Sequence, residues 1–318
     1  MTELALLLKG LLTFIPVSSY LLRPKGTGGT ISARYCYSVW LRHLVMLHNN
    51  GLSTAPNTIG ELGPGDSLGI GMSAMLGGAD KYWALDVVRF ANNTRNLKIF
   101  DQLVSLFKNR ERIPDNSEFP RIKPYLDSYN FPSHILTEEH LAESLKPERL
   151  QLLRKAIDNP GEQIGGLEIK YIVPWNTKDN ILENSVDMIF SQAALEHVDD
   201  LLDTYNILYR YLRPSGIMSH NIDFKSHGTS CAWNGHWRYS KIIWRLIRGK
   251  RKHSYWLNRY PHSAHIKFLE KSGYKVVCDI KNITSSQILR RELAPEFNYL
   301  TDDDLVTSSA FIQAIIKV

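Results

Sequence analysis

The sequence predicts an α/β protein built on a doubly wound, mostly parallel sheet, and three observations carry that prediction. The stretch Thr58–Val88 reads as strand, glycine turn, helix and strand. From Leu167 onward, apolar runs of strand length alternate with segments of helical periodicity, the pattern of strands joined by crossover helices. Asp86 stands about twenty residues beyond Gly65, at the end of the second strand, where such a sheet aims a carboxylate at ribose hydroxyls.

The chain divides into a helical N-terminal extension, residues 1–57, and a main domain over residues 58–318. The apolar start MTELALLLKGLLTFIP has Glu3 ahead of the run, Lys9 inside it and no small-residue cleavage site after it, so it does not read as a signal peptide. It is also too short to span a bilayer. Two readings stay open: an amphipathic helix packed on the protein's own body, which is preferred, or a helix lying weakly on a membrane surface beside Arg23 and Lys25. A second helix is expected over Ile31–Leu47, with Arg34, Tyr37, Arg42 and His43 on its polar side, either making contacts or facing solvent.

In the central unit, Ile59–Leu62 is a short strand ending in Gly63-Pro64-Gly65. Glycines there let the backbone turn sharply and approach a ligand that a side chain would obstruct. A small-residue helix follows from about Leu68 to Leu76, and its start is expected to offer free N–H groups to an anion. Tyr82–Val88 is the second strand. Residues 89–166 read as a helical insertion with no alternating strand. Helices are expected over Asn96–Phe107 and Glu138–Ile157, the latter broken at Pro147, with an irregular proline-rich stretch between them. The insertion is either a lid over the cleft or a cover for one sheet face.

Beyond it, strands are expected at Leu167–Val173, Val186–Ser191, Ile217–Phe224, Tyr274–Ile280 and Phe311–Val318. Helices are expected at Ala193–Arg213 and residues 262–273.

The motifs narrow the ligand. A dinucleotide fingerprint needs Gly or Ala three residues after Gly65, and Leu68 stands there. Glu61, two residues before Gly63, together with Gly65 resembles instead the acidic-x-Gly-x-Gly-x-Gly motif of class I S-adenosylmethionine-dependent methyltransferases, with Ser67 in place of the third glycine. Val186–Phe224 resembles the second half of that family, in particular its type 11 branch. The shared features are Asp187–Ile189 at a strand, Leu195–Val198 as a Leu-Glu-His-Val turn, and the Leu-x-Pro-x-Gly turn Leu212–Gly216.

The resemblance implies a Rossmann-like methyltransferase fold of seven strands, the last antiparallel between the fifth and sixth. It implies S-adenosyl-L-methionine as cofactor. By the same resemblance, Gly63, Pro64 and Gly65 would wrap the methionine moiety, Glu61 would hold its ammonium, and Asp86 would grip the ribose. Pro174 and Trp175 would meet the adenine, unless Trp175 is a core residue, while Ser191 and Gln192 would lie beside the reactive methyl. Glu196 and His197 would orient the helix behind it.

Methyl transfer to an oxygen of high pKa wants a general base. His220, Asp223 and His227, at and after the end of the fifth strand, are the candidates. On a continuous strand His220 and Asp223 face opposite ways, so a bend after Ile222 is needed to join them. No metal site is assigned, because no further carboxylates stand at ligand spacing. The basic segment Ser230–His262, with Trp233, Trp237, Trp244 and Trp256 interleaved, suits a sugar or lipid-linked acceptor better than nucleic acid, or is a solvated surface helix.

Composition agrees with a folded enzyme: 43% hydrophobic and 22% charged residues exclude a disordered chain, and a net charge of +6 favours anionic partners only weakly. Three scattered cysteines without a C-x-x-C pair point to a reducing compartment, the cytoplasm. The expectation is therefore a cytoplasmic S-adenosylmethionine-dependent methyltransferase acting on oxygen of a sugar or other small polar acceptor. A nitrogen or carbon acceptor, or a non-catalytic cofactor-binding scaffold, is the alternative.

Overall fold

A computed structural model of the protein describes residues 3–14, 29–175, 182–249 and 256–317. Eight strands form one sheet: β1 (Thr58–Leu62), β2 (Lys81–Leu85), β3 (Gln163–Ile164), β4 (Leu167–Ile172), β5 (Val186–Gln192), β6 (Leu212–Asp223), β7 (Tyr274–Ile283) and β8 (Thr307–Ile316). Their order is β3-β4-β2-β1-β5-β6-β8-β7. The five neighbours from β4 to β6 run parallel, and β8 lies antiparallel between β6 and β7. The expected seven strands are all present. The eighth, β3, is a two-residue strand that turns back onto β4 through Gly165 and Gly166, both at positive φ. A hairpin that tight needs two residues of this kind and leaves no alternating run for the sequence to reveal.

Side-chain alternation along the strands sorts the core onto two faces. Ile59, Tyr82, Ala84, Met188 and Phe190 belong to one apolar cluster, and Leu62, Trp83, Leu85 and Ile189 to the other. On the first face lie α2 (Ala33–Asn49), α3 (Gly69–Leu76) and α4 (Asn93–Lys108). The inserted helices α5 (Glu138–Ser144) and α6 (Pro147–Asp158) join them, adding Leu141, Leu153 and Ile157 to the same cluster. The insertion thus covers a sheet face, and Pro147 opens α6 where a missing N–H is harmless. The second face carries α7 (Leu201–Tyr211) and α9 (His262–Lys271).

Three expectations are resolved. On the polar side of α2 the reading of contacts holds: Tyr37, Arg42 and His43 are buried, and the exposed Arg34 pairs with Glu118 (2.6 Å). Arg42 donates to the carbonyls of Pro114 (3.1 Å) and Pro124 (2.6 Å) and lies over the Tyr129 ring, holding the irregular stretch against the sheet. The continuous helix expected over Ala193–Arg213 is instead a single 3-10 turn, Leu195–His197, followed by α7. Asn258 takes the carbonyls of Leu195, Glu196 and Val198 that a helix would have used, and Asp200 caps the new start. Of the tryptophans of the basic segment, Trp233, Trp237 and Trp244 are buried and offer no stacking platform, while Trp256 is half-buried. Lys250, Arg251 and Lys252 of that segment, and Arg23 and Lys25, lie outside the described residues.

At the N-terminus α1 (Glu3–Leu12) packs on α8 (Lys241–Arg248), with Leu6 in a small cluster beside Trp244 and Ile247. Among the described residues no helix is long and apolar enough to cross a membrane.

Candidate cofactor and acceptor site

Between β1 and β5 the strand order reverses, and it is at the carboxyl ends of the strands beside such a point that a doubly wound sheet forms its ligand crevice. The turn after β1 lies there. Gly63 and Gly65 have φ of +73° and +74°, values that L-residues avoid, and a Cβ on Gly63 would come within 2.7 Å of the Ala194 methyl. Sequence and geometry therefore agree on why both glycines are needed.

Around this turn the protein satisfies its own backbone, contrary to the expected open helix start. Thr30 clasps it from the N-terminal extension: its hydroxyl donates to the Pro64 carbonyl (3.0 Å) and accepts from Ser67 N–H (3.0 Å). The Ser67 hydroxyl in turn donates to the Thr30 carbonyl and accepts from Gly69 N–H. Asn96 takes the Leu68 N–H at 3.0 Å. Ser67 in the third glycine's place is thus a tie between extension and turn. Thr30 and Asn96 carried no motif by which the sequence could have marked them.

Glu61 is buried, its Oε2 accepting from the Tyr82 hydroxyl (2.5 Å) and from Gly71 N–H (3.2 Å). Burial pushes its carboxyl up to about 8, against the pull of those two bonds. Asp86 follows β2, and its Oδ1 accepts from Val87 N–H (2.7 Å) and Val88 N–H (3.3 Å), with the Gly65 N–H also directed at the carboxylate. Burial raises its pKa despite these donors. The carboxylate is therefore fixed at the crevice edge beside the glycine turn.

Pro174 and Trp175 follow β4, and Trp175 N–H donates to the Asp86 carbonyl (3.1 Å). The Trp175 side chain is 4% exposed and belongs to the core cluster that includes Leu62 and Leu85, so the core role is the one the structure gives it. Ser191 and Gln192 end β5 next to β1. Gln192 meets the Tyr35 side chain of α2, which brings a second residue of the extension to the crevice.

The three candidate bases separate. β6 runs unbent through Asp223, so His220 stays apart from the other two, buried and bonded through Nδ1 to the Ser191 hydroxyl (2.8 Å). Burial, with His43 nearby, depresses its pKa to about 3. Asp223 instead joins His227, whose Nε2 lies 3.4 Å from Oδ2, while Lys225 Nζ sits 3.0 Å from Oδ1. Burial alone would raise the Asp223 carboxyl. The His227 bond and the Lys225 charge outweigh it and hold the group at about 2.

The turn after β5 completes the pair's surroundings. The His197 ring packs edge-on against His227 at 5.2 Å, and burial lowers the His197 pKa to about 4. Glu196 is buried with no side-chain hydrogen bond of good geometry; burial first, then the nearby Asp223 charge, raises its pKa well above the ordinary carboxylate range. Contact is thus continuous from Gly63 through Ala194 and the 195–197 turn to His227. Among the described residues no group of three His, Cys, Asp or Glu is disposed to hold a metal ion.

The doubly wound sheet thus carries a glycine turn after β1, a fixed carboxylate after β2 and an Asp–His pair at the end of β6. Residues 137–219 match the family model described as a methyltransferase domain, about a quarter of the chain. That match bears out the resemblance to class I S-adenosylmethionine-dependent methyltransferases and indicates S-adenosyl-L-methionine as cofactor. No curated protein matches the sequence significantly.

Solved structures similar to this chain include three methyltransferases. An S-adenosylmethionine-dependent methyltransferase from Mesorhizobium loti is 14% identical, covers 85% of this chain and 95% of its own, and has a TM-score of 0.41. A protein from Listeria monocytogenes assigned as an S-adenosylmethionine-dependent methyltransferase is 14% identical, with coverage of 89% and 98% and a TM-score of 0.41. One from Galdieria sulphuraria assigned as a sarcosine dimethylglycine methyltransferase is 14% identical, with coverage of 88% and 86% and a TM-score of 0.45. Likenesses this distant carry no argument about activity or substrate.

Proposed function

We propose that the chain is an S-adenosylmethionine-dependent methyltransferase that methylates a hydroxyl of a sugar or other small polar acceptor. The observation that carries this reading is the juxtaposition of the Gly63–Gly65 turn, Asp86 and the Asp223–His227 pair along one crevice. The residues fit the cofactor. Gly63 and Gly65 turn the backbone at positive φ with no side chain over the turn, Asp86 presents a fixed acceptor for ribose hydroxyls, and Glu61 is a buried acid suited to an ammonium.

When bound, S-adenosyl-L-methionine supplies a methyl already activated on sulfonium sulfur. The protein then has two tasks, alignment and one proton. The ends of β1, β2 and β5 hold the cofactor in place, and alignment alone can supply several kcal/mol of the barrier. With its Nε2–H directed at Asp223, His227 takes the acceptor proton at Nδ1, and Asp223 fixes that tautomer and stabilises the resulting imidazolium. His220 has no part in this step: a buried imidazole with so low a pKa binds a proton too weakly. The cytoplasm is the compartment we assign to the activity, in keeping with three cysteines that form no disulfide.

The test is mass spectrometry of a panel of hydroxyl, amine and carbon acceptors after incubation with methyl-labelled cofactor. Label on a sugar or small-molecule hydroxyl is the expected result. Label on nitrogen or carbon alone would replace the oxygen reading. Cofactor binding without any transfer across the panel would favour a scaffold.

A further inference from the structure

We infer that the paired helices α1 and α8 form a docking surface for an anionic membrane. This inference stands apart from the identity of the acceptor.

The two helices are built to stay together. A Cβ on Gly10 would run into the Leu246 and Ile247 carbonyls, and one on Gly249 would run into Gly10 and Thr13. That close backbone contact, with Leu6 buried beside Trp244 and Ile247, uses up one side of α1. What remains turned outward is also apolar. Leu8 and Leu11 are 52% and 48% exposed, Leu12 and Phe14 are 48% and 46%, and Ile242 of α8 is 72%. Leu8, Leu11 and Leu12 follow the i, i+3, i+4 spacing of a single helical face.

Scattered exposed leucines need no explanation, but an apolar face on one helix together with the exposed Ile242 on the helix it packs against marks a binding surface. Charge selects the occupant. Lys241 and Arg245 are exposed one turn apart on α8, flanking Ile242, and neither has an ion-pair partner among the described residues. Arg248, the next cation of that stripe, pairs with Asp199. There is no acidic residue on α8 to offset them.

Apolar side chains bordered by lysine and arginine fit the boundary between acyl chains and anionic headgroups, where shallow insertion and electrostatic attraction add. The ten residues of α1 extend only about 15 Å, so the helix lies in the plane of the interface and does not cross it. Through the Arg248–Asp199 pair, α8 is tied to the turn after β5, which borders the Asp223–His227 pair. Docking would therefore hold the acceptor end of the crevice close to the lipid surface.

Co-sedimentation of the full chain with vesicles tests this. We expect binding to phosphatidylcholine vesicles containing about 30% phosphatidylglycerol, none to pure phosphatidylcholine, and release by about 0.5 M salt. The double variant Leu8→Glu/Leu11→Glu should lower the partition coefficient by at least about tenfold, and Lys241→Glu/Arg245→Glu should lower it on the anionic vesicles by a similar factor. Ile242→Glu, which leaves α1 untouched, should weaken binding with an unchanged melting temperature. Failure to sediment with anionic vesicles, or undiminished binding by these variants, would overturn the inference. So would concentration-dependent dimerisation abolished by the same substitutions, because the face would then belong to a second copy.

Discussion

Asp86 and His227 are the residues on which the proposed chemistry turns, and each is held by neighbours that can be tested one at a time. Asp86 is oriented by the Val87, Val88 and Gly65 N–H groups, so its carboxylate is in place before any ligand arrives. Asp86→Ala should weaken S-adenosylhomocysteine binding by about 1.5–3 kcal/mol, the scale of charge-assisted bonds left unmade. Unchanged affinity in calorimetry would remove Asp86 from the site. His227→Ala should reduce kcat by about 10²–10⁴ with cofactor affinity preserved. His220→Ala should behave differently. It deletes the bond to Ser191 from a buried strand, so it should cost about 1–3 kcal/mol of stability and leave kcat within about tenfold of the wild type. Equal loss of kcat in both variants would put His220 back in the mechanism. At this scale the sequence was informative about residue types but not about their grouping. The alternation rule correctly set His220 and Asp223 on opposite faces of a strand, yet whether the strand bends after Ile222 is a tertiary matter. Thr30 and Tyr35 reach the crevice only because α2 packs against β5 and β6, and no local pattern encodes that placement.

Among the elements, α2 does the most to join distant parts of the chain. Ser32 caps it, Thr30 just before it clasps the glycine turn, and Arg42 at its centre binds the stretch from Pro114 to Tyr129. The buried Arg42 guanidinium is the donor for carbonyls that otherwise lie away from water, and this explains why an irregular segment can hold one shape over a sheet face. Arg42→Ala should therefore destabilise the protein by about 3–5 kcal/mol, since several buried acceptors lose their partner together. Hydrogen exchange should speed up over residues 113–130 before it does in the strands. A loss below about 0.5 kcal/mol in urea denaturation would show that the segment is held by its apolar residues alone. Most elements were legible because period and punctuation agreed, as in the glycine-bounded β1 and the Pro147 break. Two were not. The helix expected at Ala193–Arg213 has the right composition but loses its carbonyls to Asn258, sixty residues away, and β3 is too short to show a period.

For the molecule as a whole, the doubly wound class could be read from the alternation of elements, and the crevice followed from the position of Gly63, Gly65 and Asp86. Burial of so many titratable groups could not be read that way, because it depends on how the two faces are covered. It has a measurable consequence. His43, His220, His236 and His265 are buried with pKa values depressed to about 3, and His197 to about 4, in each case chiefly by desolvation. In the unfolded chain each would bind a proton near pH 6.5. Between that pH and their folded values the unfolded state holds protons that the native state refuses, so stability falls as pH falls. Glu61, raised to about 8, and Glu196, raised well above its ordinary value, act in the opposite sense. From about pH 4.5 upward they keep protons in the native state that the unfolded chain releases, so their contribution falls as pH rises. Five depressed histidines outnumber the raised carboxyls Glu61, Glu196 and Asp86, so below about pH 6.5 the histidine effect prevails and stability should fall as pH falls toward 5. Urea midpoints measured from pH 8 to pH 5 test the prediction. A flat profile from pH 6.5 to 5 would mean that these histidines take up protons in the folded protein as readily as in the unfolded chain. The ring-to-ring packing of His197 on His227, and with it the proposed base, would then have to be redrawn.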